Sequence, residues 1–459
     1  MKLRINRKDT KWLICHILLS TFFVLILVDA IDITRINIFY IAYIYTIFFA
    51  FTIYYATKIK PFTAGMMIVY YIFIQGTGIP FANLFVPEYV AEQLNRSLYF
   101  SGKYMDNYIS LILLSVSCIL IGIILFGTQD KPIEIEEKIG DLYHKKIFFL
   151  LGLISLCFFA CYMVFSFITG QIVIGDYAAY KAWSGTVLRN YSQICFWISS
   201  VFICASGNRK QIFSCFLIYL FPAAIMLMSG NRNDVLFPLL IGLGIYYLRY
   251  KRIPRILFVI IFVVVFMAGP VIIHLRNGGN VTFSDMFINI RNSIGESLFE
   301  LGAQLHAVSN MFSWLERGED YALGATFFLG FLASILRRIF PSIVTYYETS
   351  RYYILDRVPS LGFSISAEVF FNFSVIGVIV IFILLGKIMG KYEGKIDNLN
   401  KLIWYGFFML WLLILVRNSF GYSLVYFKVF IVLFLFERIT YYLLLRDFGA
   451  IREAKFKDY

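Results

Sequence analysis

Long apolar runs, separated by mostly short polar breaks, recur from one end of the chain to the other. Twelve such segments can be read, at 12–29, 36–56, 62–80, 106–126, 147–168, 191–206, 211–229, 233–249, 255–274, 366–389, 402–417 and 424–445. A membrane-crossing helix needs about 20 predominantly apolar residues to traverse a hydrocarbon core of ~30 Å. The pattern therefore predicts an all-α polytopic membrane protein with about twelve transmembrane helices, a single integral membrane domain over 1–459. One break differs from the rest. Residues 275–365 form a loop of about 90 residues, and no other loop exceeds about 30.

That loop carries its own periodicity. From Phe287, apolar residues recur at 290, 294, 298, 301, 305, 308 and 312, the spacing of one helix face, so a single amphipathic helix is expected there. Its opposite face carries Asn292, Glu296, Glu300 and Gln304, four residues apart. Such a face is either solvated or turned into a cavity; in the second case Glu296 and Glu300 become candidates to bind or deprotonate a hydroxyl. Further on, "YALGATFFLGFLASILRRIFP" is apolar but too short for a span, and predicts a helix lying in or dipping into the membrane interface.

Charge sets the orientation. The chain is 60% hydrophobic and 15% charged, with a net charge of +13. With the N-terminus in the cytoplasm, inside stretches collect 25 Lys and Arg and outside stretches 14, as the positive-inside rule requires. Both termini are then cytoplasmic and the long loop is extracytoplasmic. A basic balance of this kind needs no nucleic acid to explain it. The first apolar segment lacks a small-residue cleavage site, so no cleavable signal peptide is expected. The cysteines, 15, 118, 157, 161, 195, 204 and 215, all fall in apolar runs without a CxxC, and read as buried apolar residues rather than ligands or disulfides.

The basic residues outside are unevenly chosen. The long loop holds seven arginines (276, 291, 317, 337, 338, 351 and 357) and not one lysine. Arginine's planar fork binds phosphate and carboxylate with two parallel hydrogen bonds and keeps its charge when desolvated. An outer face rich in arginine suits an anionic ligand, although arginines paired to acids for structure would leave the same trace. Two short outside turns each present one arginine, "SGNRND" with Arg232 and "LVRNSFGYS" with Arg417; Pro222 and Pro238 lie inside the spans that flank the first. His274 and Arg276 sit together where the ninth segment ends. "PSLGFSISAEVFFNFSVIG" places Glu368 and Asn372 on one face of the tenth segment, and an ionisable residue at that depth is a functional candidate by default. Nucleotide-binding glycine loops, HExxH, GxSxG and clustered histidines are missing, so neither a cofactor nor a metal is expected.

These features resemble the Wzy-type O-antigen and capsular oligosaccharide repeat-unit polymerases. The likeness rests on the "SGNRND" turn at a span end, the outer loop with "GATFFLGFLASILRRIFP", and "LGFSISAEVFFNFSVIG", and it covers mainly residues 220–440. The RxxxxxxxxxxG spacing of some members is not cleanly present, since eleven residues after Arg232 stands Leu243, between Gly242 and Gly244. The resemblance implies a GT-C-like glycosyltransferase of the bacterial cytoplasmic (inner) membrane, acting on undecaprenyl-pyrophosphate-linked oligosaccharides, with a chain-length regulator protein as a further partner. A growing glycan would pass from its carrier to the non-reducing-end sugar of the next lipid-linked unit. On that chemistry, Arg232, Arg276 and Arg417 are expected near the pyrophosphate, with Arg337, Arg338 and His274 in support. Glu368 is expected as first base and Glu300 as second, with Asn372 and Glu296 binding substrate. An O-antigen ligase and a lipid-linked oligosaccharide flippase are the alternatives; the absence of an internal repeat speaks against a transporter. Arg232→Ala is expected to abolish polymer without lowering protein abundance in the membrane, checked by glycan sizing beside immunoblotting; normal polymer would remove Arg232 from the site.

Overall fold

The computed structural model describes residues 7–32, 35–95, 102–128, 139–173, 180, 182–183, 186–229, 233–250, 290–336, 339–358, 363–424, 426–433, 435 and 439. Among them the chain is helical throughout, without strands. The helices before the long loop are α1 (Arg7–Leu27), α2 (Arg35–Tyr55), α3 (Ala64–Phe85), α4 (Pro87–Asn95), α5 (Gly102–Phe126), α6 (Ile139–Ile168), α7 (Val187–Ser206), α8 (Arg209–Met228) and α9 (Asn233–Tyr250). The loop contributes α10 (Ile290–Gly302), α11 (Leu305–Glu316), α12 (Ala325–Leu336), α13 (Pro341–Thr349) and α14 (Ile354–Arg357). After it come α15 (Ile365–Glu393), α16 (Leu399–Arg417) and α17 (Phe420–Leu433).

Eight of these helices, α1, α2, α3, α5, α6, α8, α15 and α16, are long and apolar enough to cross a membrane. That is fewer than the twelve segments read from hydropathy. The segments at 191–206 and 233–249 do form helices, α7 and α9, but both carry buried polar residues, among them Arg189, Ser192, Gln193 and Asp234, which lower their apolar content. The segment at 255–274 lies outside the described residues, and the last is described only as α17.

The bundle is built around α5 and α3, whose membrane windows are 89% and 83% buried, against 33% for α1, α2 and α8. Lipid tails are as apolar as leucine, so helices in a membrane gain by close backbone approach at small residues. The contact of α5 with α15 is of this kind. A Cβ added at Gly386 would lie 2.1 Å from the Ile119 carbonyl oxygen, and one at Gly122 would lie 2.3 Å from that of Ile383. At the end of the bundle away from the long loop, the Tyr405 hydroxyl donates to Glu393 and accepts from the Gly65 amide at 2.9 Å, joining α3, α15 and α16. The Lys58 amine donates to the Ile124 carbonyl at 2.9 Å. Asn208 and Gln211 form a reciprocal capping box that starts α8, with only Gly207 and Asn208 between it and α7.

The cysteines are free, but their expected burial holds only in part. Cys118 and Cys215 are buried, whereas Cys157 and Cys161 are exposed on α6. That helix lies at the edge of the bundle, where one face meets lipid and an apolar thiol costs nothing.

Because the α5–α15 contact leaves no room for a side chain, Gly386→Leu is expected to lower the amount of folded protein in the membrane severalfold. Overpacking typically costs about 1–3 kcal/mol, and here the obstacle is backbone. Ile376→Ala, at a position 75% exposed, should leave it unchanged. Fluorescence size-exclusion of detergent extracts distinguishes the two.

Candidate functional site

The long loop folds down onto the bundle in two pieces. Where one amphipathic helix was expected over 287–312, the chain forms α10 and α11, interrupted at Ala303–Gln304. The cause is packing. α10 is pressed against α3 so closely that a Cβ at Gly78 would lie 2.4 Å from the Leu298 carbonyl oxygen, and one at Gly302 would lie 2.8 Å from the Ile79 nitrogen. Gly302 gives this contact at the cost of helix propensity, and the helix ends there. The polar stripe runs inward. Asn292 is exposed, Glu296 and Glu300 are half-buried, and Gln304 is buried, so the stripe descends into the molecule rather than lying wholly in solvent. His306, just past the bend, is held below its ordinary pKa by burial.

The second apolar stretch forms α12, twelve residues or about 18 Å long at ~1.5 Å per residue, too short to cross ~30 Å. It lies against α17. Gly330 meets Gly421, where an added Cβ would sit 3.2 Å from the opposing Cα, and the rings of Phe327 and Phe420 pack edge to face with centroids 5.0 Å apart. The Lys428 amine donates to the Ser334 carbonyl near the end of α12. α13 folds back over it, burying Val344 and Tyr347 with Ala333. Arg337 and Arg338 follow directly and lie outside the described residues.

Glu368 and Asn372 do share one face of α15, and both are buried, at 1% and 0% exposure. Their partners come from elsewhere in the chain. Glu368 Oε1 accepts from the Thr326 hydroxyl at 2.9 Å, and Oε2 accepts from the Phe420 amide at 2.7 Å. The Asn372 side-chain amide donates to Thr326 Oγ1 at 2.6 Å and to the Glu368 carbonyl at 2.7 Å, and its oxygen accepts from the Thr326 amide at 3.4 Å. Two residues past Asn372, α15 is broken at Ser374, whose φ of 57° and ψ of −163° are not helical. The Phe371 carbonyl, three residues before the break, accepts from the Ala322 amide at 2.9 Å. Leu323 and Gly324, with φ of 48° and 88°, make the turn that brings Ala322 and Thr326 to the same helix. Left-handed backbone at a leucine is strained and persists only where its surroundings impose it.

Arg417 ends α16 beside these elements. Its carbonyl accepts from the Phe363 amide at 2.8 Å and from Gln304 Nε2 at 3.3 Å, so the α10–α11 bend and the approach to α15 meet at this residue. Its half-buried guanidinium has no hydrogen-bond or ion-pair partner among the described residues. Two arginines of the long loop make contacts of their own. Arg357 is paired with Glu319 at 2.5 Å and stacks 3.6 Å over the Trp314 ring, and Arg351 lies exposed against Tyr352. Arg232, Arg276 and His274 lie outside the described residues.

Sequence reasoning missed a second polar centre, beside the "SGNRND" turn. Asp234, two residues after Arg232, is ion-paired with Arg189 of α7, their side chains 13% and 7% exposed. Arg189 also donates to Gln193 and to the Tyr180 hydroxyl at 3.1 Å, and its guanidinium lies 5.5 Å over the Trp183 ring. The Trp197 indole donates to the Asp234 carbonyl at 3.0 Å. Each charge was visible at a span end, but 45 residues separate them. Removing one member of a buried pair leaves the other uncompensated, at a cost of about 3–5 kcal/mol. Arg189→Gln and Asp234→Asn singly are therefore expected to lower the melting temperature of purified protein markedly, and the double variant to recover much of the loss. Additive losses would contradict the pairing.

The chain matches the family model for O-antigen polysaccharide polymerase Wzy over residues 14–444. It is 25% identical over 327 residues to Protein CapE of Staphylococcus aureus, covering 69% of this chain and 72% of that one. No solved structure is significantly similar. With nearly its whole length matched and its helical, multi-span architecture in agreement, the chain belongs to the O-antigen polysaccharide polymerase Wzy family.

Proposed function

We propose that this chain polymerises undecaprenyl-pyrophosphate-linked oligosaccharide repeat units into surface polysaccharide, O-antigen or capsule, at the outer face of the cytoplasmic membrane. Family membership and the multi-span fold support the polymerase reading. The observation that carries the site is Arg417, a half-buried guanidinium without a described partner, on a carbonyl held by two other elements.

In the reaction the acceptor hydroxyl attacks the anomeric carbon of the donor sugar. The bond from that carbon to the pyrophosphate oxygen breaks, and the lipid pyrophosphate leaves with the bonding electrons. Negative charge grows on the leaving phosphate, and a cation placed there beforehand lowers the barrier. Arg417 meets this need: its fork fits two phosphate oxygens, and its position is fixed by contacts to its own backbone. Arg232 and Arg276 are assigned to the same charge from their turns, with Arg337, Arg338 and His274 in support. The hydroxyl proton passes to a carboxylate. Glu300 is the better placed of the two candidates, because it is half-buried one turn before Gln304, which touches the Arg417 carbonyl. Glu296, one turn further out, then faces incoming sugar. Glu368 has both oxygens turned to protein donors.

A deletion strain is expected to carry surface glycan capped at one repeat unit. Long chains stranded on the carrier would mean a ligase, and repeats trapped on the cytoplasmic face would mean a flippase. Arg417→Ala should lower polymerisation about 10²-fold or more, the scale of losing one preorganised oxyanion donor. Arg417→Lys should fall between, since a lysine supplies charge without the fork. Polymer of normal length and amount in Arg417→Ala membranes would remove Arg417 from the leaving group.

A further inference from the structure

We infer that Glu368 is a positioning residue, whose carboxylate clamps the short helix α12 and the start of α17 onto α15 and so holds Arg417 at the reaction site. The inference rests on the reading of Arg417 given above.

The geometry of the segment Arg417–Phe420 is the basis. Its first residue is fixed from one side, where the Arg417 carbonyl takes hydrogen bonds from Phe363 and Gln304. Its last is fixed from the other, where the Phe420 amide donates to Glu368 Oε2. Between them Asn418 continues back to the Ile414 carbonyl at 3.1 Å, and Ser419 is 3% exposed. Three peptide units pinned at both ends leave the Arg417 backbone little freedom, and the reach of its side chain is set accordingly. The second oxygen of Glu368 fastens Thr326, the second residue of α12, and Asn372 closes the set by bridging Thr326 to the Glu368 carbonyl. One carboxylate thus joins three segments far apart in the chain.

The choice of residue follows from its chemistry. An ionised carboxylate accepts on two oxygens and donates nothing, so it can take a hydroxyl and a backbone N–H together. A general base, by contrast, must come within hydrogen-bond reach of the proton that it removes. Glu368 is 1% exposed, with both oxygens already occupied.

The two roles separate on one substitution. Glutamine keeps the shape: its oxygen can accept from the Phe420 amide while its NH₂ faces the Thr326 oxygen. Glu368→Gln is therefore expected to retain polymerisation within about tenfold of the parent, where loss of a general base would cost about 10²–10⁴-fold. Glu368→Ala should approach the loss seen for Arg417→Ala. Thr326→Ser should behave as the parent, and Thr326→Val should lose part of the activity. A second readout does not depend on catalysis. In Ser419→Cys protein, labelling of the new thiol by a membrane-impermeant maleimide in intact cells should be slow with Glu368 or Glu368→Gln and fast with Glu368→Ala.

Slow labelling in the Glu368→Ala background overturns the clamp. An inactive Glu368→Gln whose thiol remains protected overturns the positioning role in favour of proton transfer. Fast labelling in Glu368→Ala with polymer unaffected confirms the clamp, and the failure then belongs to the placement of Arg417 at the reaction.

Discussion

A carboxylate buried inside a helical bundle has to be met by donors, because a buried acceptor left unsatisfied is costly. Glu368 imposes this condition on its surroundings, and much of the loop's architecture follows from it. The donors supplied are a hydroxyl from α12 and a backbone amide from the start of α17. Each arrives with its own segment packed against α15. A twelve-residue helix that crosses nothing is thereby given a fixed place, and the turn after α16 is drawn to the same point. Irregular backbone within a membrane is tolerated where protein rather than lipid surrounds it. The break in α15 at Ser374 is half-buried, and the Phe371 carbonyl before it is taken up by the Ala322 amide.

Two polar centres therefore lie near the end of the bundle that carries the long loop. One is built on Glu368, Asn372 and Thr326, the other on Arg189 and Asp234. They differ in how they are satisfied. The first gathers hydroxyl and amide donors around a carboxylate, and the second pairs opposite charges beneath an aromatic cover of Tyr180 and Trp183. The first holds the turn that carries Arg417, and the second ties the start of α9 to α7. A loop at a membrane surface presents a side chain with useful accuracy only when it is tied to rigid elements, and buried polar contacts supply that tie.

The arginine bias of the long loop divides on inspection. Arg357 belongs to the structural class, paired with Glu319 and stacked on Trp314, and Arg351 rests against Tyr352. Arg417, outside the loop in sequence yet bound to it through Phe363 and Gln304, is a half-buried cation with no hydrogen-bond or ion-pair partner for its side chain among the described residues. An arginine's place in the sequence is thus a poor guide to its role, and its company in the fold is a better one. The same holds for the carboxylates. Glu368 looked the more functional by depth, but depth is also what obliges it to bond with protein.

What the sequence determined by itself is the helical, membrane-spanning character of the chain, the singular long loop, and the residues worth watching. Hydropathy acts residue by residue along a local window, so a linear reading captures it. The face shared by Glu368 and Asn372 was legible for the same reason, since 3.6-residue spacing is a local property. The tertiary structure decided what those residues touch. Nothing local in "FNFSVIG" announces a helix break at Ser374, because serine is an ordinary helix resident and the break depends on Ala322 and Thr326 arriving from another part of the chain. The interruption of the predicted helix at Ala303–Gln304 depends likewise on the approach of α3, and the Arg189–Asp234 pair on the packing of α7 beside α9. Burial energy is written along the chain; the partners of buried polar groups are fixed only when distant segments meet.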